Sequence, residues 1–352
     1  MRQLIRKLKT ELLSARFKNN KLLYYLSNYI RCYIPGWVYR IQLERKLQSL
    51  SWCNYENVWE RVNYYNKYEC GFYPLVSAVR LDTLKPRRKQ KTYLFDLRFY
   101  TRFFPGHKTV DYVFGDITHV PLVPSIVKSR PINGNNGKSV LLKLNKVRHF
   151  TFVKDQKPFS KKKDQLVWRG NIRPTQVQRI DFVNKFAGHP RCNVGHVNSD
   201  VYLSTPVVEK LNMLEQLDYK FIMCLEGHDV ATNLKWVMSS NSLAVMPRPK
   251  YETWFMEGML VPGYHYVLVK DDYSDLEEKI DYYLDHPEEA IAIINHAHEH
   301  VAQFTDTRQE ELIGLMVLNK YFSRQMVAPT YRLRDASTYS VRPLDVEAMS
   351  IC

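Results

Sequence analysis

The segment 168–179 carries the residue types best suited to binding an anion. Its sequence is WRGNIRPTQVQR, and apolar residues at helical spacing predict a helix over 177–186. Free backbone N–H groups and the positive end of a helix dipole attract phosphate, and arginines can add bidentate contacts. The anion-binding residues that this pattern predicts are Gly170, Asn171, Arg173 and Arg179.

A second segment, 226–235, repeats this arrangement. A strand predicted over 221–225 ends in a glycine turn, and a helix predicted over 232–238 follows, with Lys235 in its first turn. Two helix starts and three cations suit a diphosphate. The alternative is that the arginines form ordinary surface ion pairs and that the glycine turns are only turns.

A carboxylate lies in the turn that ends a further predicted strand, in the segment 110–116. The sequence VDYVFGD ends in a Gly-Asp turn, so Asp116 lies just past the strand, where α/β sheets place their ligands. A positioned carboxylate can take a proton from an attacking hydroxyl group. Asp111 is the alternative base, although it is predicted to begin the strand.

Two further groups of polar residues admit both a functional and a structural interpretation. Glu252 and Glu257 either contact sugar hydroxyl groups or lie in a solvated loop. Three histidines occur at positions i, i+2 and i+4, which do not share one helix face. We therefore predict no metal site and place these histidines at the surface: His296, His298 and His300.

The composition favours an anionic partner and a location inside the cell. The chain has 352 residues, 45% hydrophobic content and a formal net charge of +15, which allows two domains or one large one. Its six cysteines form no CxxC pair, and no run of 18 apolar residues occurs. Charges interrupt the N-terminus where a secretion signal would be apolar. We predict a cytoplasmic protein.

The N-terminal segment, 1–50, is basic and has apolar residues at helical spacing. It contains eleven lysines and arginines against two glutamates, and aromatic side chains are frequent. This pattern is typical of a helix that binds an anionic membrane surface. An amphipathic helix that packs on the core with a solvated basic face fits the pattern equally well. We predict peripheral attachment to the inner membrane.

Strand and helix patterns divide the rest of the chain. Residues 161–305 alternate between the two, which predicts a parallel, Rossmann-like domain that carries both anion-binding segments. Residues 51–160 are predicted to form an N-terminal domain, with one or two strands over 91–104. A last amphipathic helix, 309–322, could pack back on that domain, and the tail 323–352 is predicted to be loop.

Four segments together resemble glycosyltransferase family 90: WRGNIRPTQVQR (168–179), YKFIMCLEG (219–227), VATNLKWVMSSNSLAV (230–245) and PGYHYVLVKDDYSDLEEKI (262–280). This family includes bacterial lipopolysaccharide core and capsule glycosyltransferases and the eukaryotic protein O-glucosyltransferases. The resemblance extends over residues 110–300. It is greatest to the bacterial lipopolysaccharide members, through three further segments: DYVFGD (111–116), KSRPI (128–132) and SVLLKLNKVRHF (139–150).

The resemblance implies an α/β fold of the GT-B type, in which two Rossmann-like domains face a cleft. It implies a nucleotide-sugar donor, with UDP as the expected nucleotide, and inversion at the anomeric carbon without a catalytic metal or other cofactor. The domain 51–160 would then hold the acceptor, and the domain 161–305 would hold the donor.

The site residues of the family carry over to matching positions of this chain. Asp116 resembles the base, although Ile117 and Thr118 stand where the O-glucosyltransferases have an aromatic residue and a proline. Lys235 stands where they have an arginine, which keeps the charge but loses the forked geometry. Together with the anion-binding pattern, the resemblance implies these donor-binding residues: Gly170, Asn171, Arg173, Arg179, Gly227, Val230, Ala231, Thr232, Asn233, Leu234 and Lys235.

These observations predict an inverting hexosyltransferase that acts on a lipid-linked saccharide, the lipopolysaccharide core. Capsule or protein glycosylation is the alternative within the family. Protein O-glucosylation in a secretory lumen is disfavoured by the missing signal segment and the scattered cysteines. A basic nucleic-acid-binding protein is the alternative outside the family, but no nucleic-acid-binding motif supports it.

Overall fold

The computed structural model describes residues 19–48, 55–69, 78–85, 90–199 and 204–325. Within these ranges the fold is mixed α/β and is built on parallel sheets, as the sequence predicts. Residues 1–18 of the predicted membrane-binding segment and residues 326–352 of the predicted tail lie outside the described residues.

A three-stranded parallel sheet lies in the N-terminal part of the chain. Its strands, in spatial order, are β3 (Tyr112–Val113), β4 (Ser125–Val127) and β6 (Ser139–Leu141). Three more short strands are β1 (Val79–Arg80), which pairs antiparallel with β2 (Thr109–Val110), and β5 (Ser129–Pro131). The helices of this part are α1 (Lys21–Tyr33), α2 (Gly36–Gln48), α3 (Tyr55–Tyr65), α4 (Lys91–Thr101) and α5 (Lys146–His149), with 3-10 turns at Leu81–Thr83 and Phe159–Lys161.

A five-stranded parallel sheet lies in the C-terminal part. Its strands are β7 (Lys163–Gly170), β8 (Cys192–His196), β9 (Tyr219–Met223), β10 (Leu243–Met246) and β12 (Val267–Leu268), in the spatial order β12, β10, β9, β7, β8. The strand β11 (Tyr251–Thr253) lies outside this sheet. The helices are α6 (Val177–Phe186), α7 (Met213–Gln216), α8 (Leu234–Met238), α9 (Leu276–Asp285), α10 (Pro287–Ala302) and α11 (Thr307–Ser323), with a 3-10 turn at Glu257–Met259. The helix predicted over 177–186 is confirmed.

Both faces of the five-stranded sheet are buried, as is usual for a parallel sheet. Because side chains alternate along a strand, Val167 and Ile222 point to one face, while Trp168 and Phe221 point to the other. The first face joins the hydrophobic core that also contains side chains of α3, α4 and α11. Helices α6 and α9 cover the second face. The N-terminal part and the larger sheet thus share one continuous core.

Polar contacts also join the two parts. Strand β5 pairs with β11 in antiparallel register. Glu310 of α11 accepts hydrogen bonds from Arg61 of α3 at 2.5 Å and from Lys143 at 2.6 Å. The indole of Trp254 donates to the same carboxylate at 2.7 Å. All four side chains are buried, so one carboxylate holds three separate segments against α11.

The prediction of strands over 91–104 is wrong, because most of this run forms α4. The buried residues Tyr93, Leu97 and Tyr100 recur at intervals of three or four, which places them on one helix face. Aromatic residues favour strands in general. Here the packing of this face against α11 outweighs that preference, as Tyr100 lies directly against Gly314.

Helices α1 and α2 present apolar side chains to solvent. Among the described helices, none has both the length and the apolar content needed to cross a bilayer. The exposed side chains recur about every four residues along most of the two helices, and each is more than half exposed. We call them the N-terminal apolar stripe: Leu22, Leu26, Ile30, Trp37 and Ile41.

Candidate active site

A cleft of about 960 Å³ lies where the carboxyl ends of strands from both sheets meet. One wall is formed by residues that follow β6, including Arg148 and His149. The opposite wall is formed by the end of β7, at Gly170 and Asn171, and α1 contributes Lys21. Ligands of α/β proteins bind at the carboxyl ends of parallel strands, so this cleft is the candidate active site.

Cations line the cleft, and the described residues of its lining include no aspartate or glutamate. The four cationic side chains are Lys21, Arg148, Arg169 and Arg179. His149 adds no charge at neutral pH, because burial lowers the pKa of its imidazole well below the usual range. A cleft with charge of one sign concentrates ligands of the opposite sign, so the cleft suits an anion.

Arg179 lies at the junction of the two predicted anion-binding segments. Its guanidinium donates to the carbonyl oxygens of Leu225, Glu226 and Asn171 at 3.0, 2.9 and 2.9 Å. Burial lowers its pKa to about 10, so it remains charged at neutral pH. No carboxylate within the described ranges pairs with it. A partly buried positive charge at the cleft wall therefore lacks a counterion.

The other predicted donor-binding residues lie in and beside the cleft. Four of them line it: Gly170, Asn171, Thr232 and Asn233. Three line a smaller neighbouring cavity: Val230, Ala231 and Leu234. Gly227 lies against Arg179, because a Cβ added to Gly227 would come within 3.1 Å of the guanidinium. The structure thus brings most of this predicted set together around Arg179.

Arg173 and Lys235 are not part of the cleft lining. Arg173 is exposed, and its Nη1 lies 3.2 Å from Nε2 of His228. Lys235 is fully buried, and its ammonium pairs with Glu257 at 2.8 Å. A direct contact between Lys235 and a phosphate would require this ion pair to open. The role of these two cations in donor binding stays a prediction.

Glu252 and Glu257 do not lie in a solvated loop, so that interpretation is wrong. Both are buried, and a buried carboxylate requires a compensating partner. Glu257 pairs with Lys235, and Glu252 pairs with Arg130 at 2.7 Å. Asp111, the alternative base, is also buried.

The prediction that the three histidines of α10 lie at the surface is wrong for His300. This residue is buried, its Nε2 lies 2.9 Å from the carbonyl oxygen of Phe255, and burial lowers its pKa to about 4. Nε2 of His298 lies 2.9 Å from the carbonyl oxygen of Ser240, and His296 stacks on a tyrosine ring. The three rings make three separate contacts.

Asp116 follows β3 through Gly115, whose φ of +123° favours glycine. Its Oδ1 accepts a hydrogen bond from Nζ of Lys128 at 2.5 Å, and its side chain is 38% exposed. Burial alone would raise the pKa of this carboxyl, but Lys128 outweighs that effect, with Arg148 and His228 adding to it. The pKa therefore lies below its usual value, and Asp116 is ionised at neutral pH. Asp116 does not line the cleft, but Arg148, which lowers its pKa, does.

Several charged residues in and near the cleft were not predicted as site residues from the sequence. Lys128 is buried, and its Nζ lies 2.6 Å from Oδ2 of Asp229. One signal was present, because Lys128 directly follows the apolar pair Ile126-Val127 on the strand beside the one that leads to Asp116. The cleft arginines Arg148 and Arg169 lie in two segments that were singled out, SVLLKLNKVRHF and WRGNIRPTQVQR, but nothing else distinguished them from the other arginines of a chain of net charge +15.

Parallel strands that end at a cationic cleft define an α/β protein with a site for an anionic ligand. The family model described as Glycosyl transferase family 90 matches residues 131–340. This match covers more than half of the chain, and the protein belongs to that family. It is a glycosyltransferase, as the sequence predicts, and the nucleic-acid-binding alternative is set aside.

The chain is also similar to individual glucosyltransferases. It is 46% identical over 263 residues to the O-glucosyltransferase LpsA of Dichelobacter nodosus, and the match covers 75% of this chain and 82% of that protein. It is 27% identical over 141 residues to Protein O-glucosyltransferase 2 of Danio rerio and 29% identical over 135 residues to Protein O-glucosyltransferase 3 of Homo sapiens. Each of these two matches covers 38% of this chain and only 28% or 26% of the relative.

Proposed function

We propose that the protein transfers a hexose from a UDP-sugar to a saccharide acceptor, with inversion at the anomeric carbon. The observation that carries the proposal is the Arg179 guanidinium, charged and without a carboxylate partner in the described structure, at the wall of the cleft. Transfer of the sugar leaves a nucleoside diphosphate, and fixed positive charge stabilises the negative charge that develops on it.

The two parallel sheets support a GT-B-type arrangement. Residues after β6 of the smaller sheet and residues at the ends of β7 and β9 of the larger sheet line the same cleft. The donor would lie on the side of the larger sheet, near Gly170, Asn171 and Thr232, and the acceptor on the side of Arg148. The cleft holds both substrates in line, which lowers the entropic part of the barrier.

Asp116 is the proposed base. It takes the proton of the acceptor hydroxyl as that oxygen attacks the anomeric carbon, and the bond from this carbon to the diphosphate oxygen breaks with its electron pair. One displacement of this kind inverts the configuration. Because the side chains of the cleft provide fixed cations, we propose that no metal ion is required, and activity in excess chelator tests this part of the proposal.

Replacing Arg179 with glutamine is expected to weaken the binding of UDP by about 10- to 100-fold, because a hydrogen bond to a charged group contributes about 1.5–3 kcal/mol. The measurement is the dissociation constant by titration calorimetry. Arg179→Lys keeps the charge without the fork and should bind with intermediate affinity.

Arg191 provides the control, because it pairs with Asp281 at 2.8 Å on the surface. Arg191→Gln should bind UDP like the unaltered protein. A folded Arg179→Gln variant with unchanged affinity for UDP would remove the diphosphate site from this wall of the cleft.

The proposed sugar is glucose, and the proposed acceptor is the lipopolysaccharide core. The names of the three relatives above all contain glucosyltransferase, and the segments DYVFGD, KSRPI and SVLLKLNKVRHF resemble the bacterial lipopolysaccharide branch. Truncated core saccharides, capsule fragments and folded peptide domains, offered in parallel with UDP-glucose, separate this acceptor from the alternatives within the family.

We further propose that the protein binds the cytoplasmic face of the membrane that carries the acceptor. The N-terminal apolar stripe is exposed along α1 and α2, and basic residues such as Arg40 and Arg45 are exposed beside it. An exposed apolar surface with a basic rim suits an anionic bilayer. Lys21 of α1 lines the cleft, so a membrane against the stripe would lie next to the cleft.

Replacing Leu26 and Ile30 together with glutamate is expected to lower binding to phosphatidylglycerol vesicles by at least about tenfold, since burying one such side chain contributes about 1.5–3 kcal/mol. Sedimentation with vesicles measures the effect. Leu122 is the control because it is 90% exposed and lies outside the stripe, and Leu122→Glu should bind normally. If the double variant sediments like the unaltered protein, the stripe is not the membrane surface.

A further inference from the structure

Lys128 joins two carboxylates from different parts of the fold. Its Nζ lies 2.5 Å from Oδ1 of Asp116 and 2.6 Å from Oδ2 of Asp229. Asp116 follows β3, Lys128 follows the neighbouring strand β4, and Asp229 follows β9 of the larger sheet. The side chains of Lys128 and Asp229 are only 2% and 5% exposed, whereas Asp116 is 38% exposed. The buried pair therefore lies behind the more exposed carboxylate of Asp116.

Other charged and titratable groups also face this cluster. Arg148 and His228 both lower the pKa of Asp116. Tyr93 acts on the pKa of Lys128, and the charge of Lys128 helps to lower the pKa of His149. Burial raises the pKa of Tyr93 and lowers that of His149. Both are thus neutral near pH 7, which leaves Lys128 and Arg148 as the lysine and arginine side chains of the described structure that act on the Asp116 carboxylate.

The cluster contains two carboxylates and one ammonium. Burial raises the pKa of Asp229, and Lys128 acts against that shift. With both carboxylates ionised, the cluster carries one net negative charge. When Asp116 takes up a proton, the cluster becomes neutral, and Lys128 still has Asp229 as its counterion. Without Asp229, the same proton would leave an unpaired ammonium in a buried position, which is costly. Asp229 therefore makes proton uptake by Asp116 easier than Lys128 alone would allow.

We propose that Lys128 and Asp229 are positioning residues for sugar transfer, in which Lys128 holds Oδ1 of Asp116 and Asp229 neutralises Lys128. Oδ2 of Asp116 is then the oxygen that receives the proton of the acceptor hydroxyl. The proton leaves the hydroxyl as its oxygen bonds to the anomeric carbon, and the diphosphate leaves with the electron pair. This inference rests on the proposed function, which assigns the base to Asp116.

Two single substitutions should shift the pKa of Asp116 in opposite directions. Asp229→Asn leaves Lys128 to act on Asp116 alone and should lower that pKa by about one pH unit, whereas Lys128→Met should raise it by a similar amount. The combined variant should lie between the two. The measurement is the carboxyl ¹³C titration of the protein without substrates, with the Asp116 signal assigned by its loss in Asp116→Asn.

Transfer rates provide the second readout. Asp229→Asn should lower kcat by about tenfold, with little change in the KM for UDP-glucose, because a carboxylate of lower pKa is a weaker base. Lys128→Arg keeps the charge and should retain more activity than Lys128→Met. Asp218 provides the control, since it pairs with Lys157 at 2.8 Å with its side chain 40% exposed. Asp218→Asn should change neither the titration nor the rate.

The possible outcomes separate this inference from the proposed function. If Asp116→Asn retains normal turnover, the assignment of the base fails and the inference fails with it. If Asp116→Asn is inactive but the two single substitutions shift its pKa in the same direction, or leave it unchanged, only the positioning role of Lys128 and Asp229 is overturned. If Lys128→Met fails to fold, the test rests on Asp229→Asn alone. A lowered pKa of Asp116 in that variant supports the positioning role, and an unchanged or raised pKa overturns it.

Discussion

Replacing Asp116 with asparagine is expected to lower the rate of sugar transfer by about 10²- to 10⁴-fold, the usual contribution of a general base. Asparagine has nearly the same shape and can still accept a hydrogen bond from Lys128, which lies 2.5 Å from the carboxylate. It cannot take the proton of the acceptor hydroxyl. Affinity for UDP should stay nearly unchanged, because Asp116 is not among the residues that line the cleft where the donor would bind.

Asp164 offers the control for this substitution, because it is a surface carboxylate paired with Lys220 at 2.6 Å. Initial rates with UDP-glucose should be normal in Asp164→Asn.

The pH dependence of the transfer rate supplies a further check. Because the pKa of Asp116 lies below its usual value, the base is lost only as pH falls through that lower value. The rate should therefore not decline on this account between pH 7 and about pH 5.

Replacing Glu310 with glutamine is expected to destabilise the fold by about 3–5 kcal/mol, because it leaves buried cations without their counterion. Glu310 pairs with Arg61 at 2.5 Å and with Lys143 at 2.6 Å, and its side chain is 5% exposed. A glutamine side chain can also accept only at one atom, so at least one of the three present donors would lose its partner. Urea unfolding followed by tryptophan fluorescence measures the change.

The adjacent residue of the same helix provides a matched control. Glu311 pairs with Lys46 at 3.0 Å, and these two side chains are 23% and 34% exposed. Exposed ion pairs contribute about 0–1 kcal/mol, so Glu311→Gln should unfold almost like the unaltered protein. Equal effects of the two substitutions would contradict the view that the Glu310 cluster holds α11 to the N-terminal part.

Local patterns were enough to predict some elements of the larger sheet and its helices, but not the strand β8. The helix over 177–186 follows from apolar spacing and ends before Gly188, which has a φ of +81°. The strand predicted over 221–225 is found two residues earlier, as β9. Such patterns also brought Gly170, Asn171 and Arg179 into one predicted site, since a strand end and the next helix start are close in any βα unit.

Contacts between distant residues were not predictable in this way. Lys235 was predicted to contact a diphosphate, because nothing in its own segment indicates that it pairs with the buried Glu257, 22 residues later. Lys128 and Asp229 are about 100 residues apart, and only the meeting of β4 with the segment after β9 brings their charges together. Similarly, the run that forms α4 has the composition of a strand, and its helical state depends on packing against α11.

One NMR experiment can show whether the protein transfers a hexose from a UDP-sugar with inversion and without a metal. The protein is mixed with UDP-glucose, a truncated lipopolysaccharide core acceptor and excess EDTA, and the anomeric proton of the new glycoside is followed. UDP-glucose carries an α-linked sugar, so we expect a β-linked product at the same rate as without EDTA. An α-linked product, or transfer that appears only after a divalent metal is added, would contradict it.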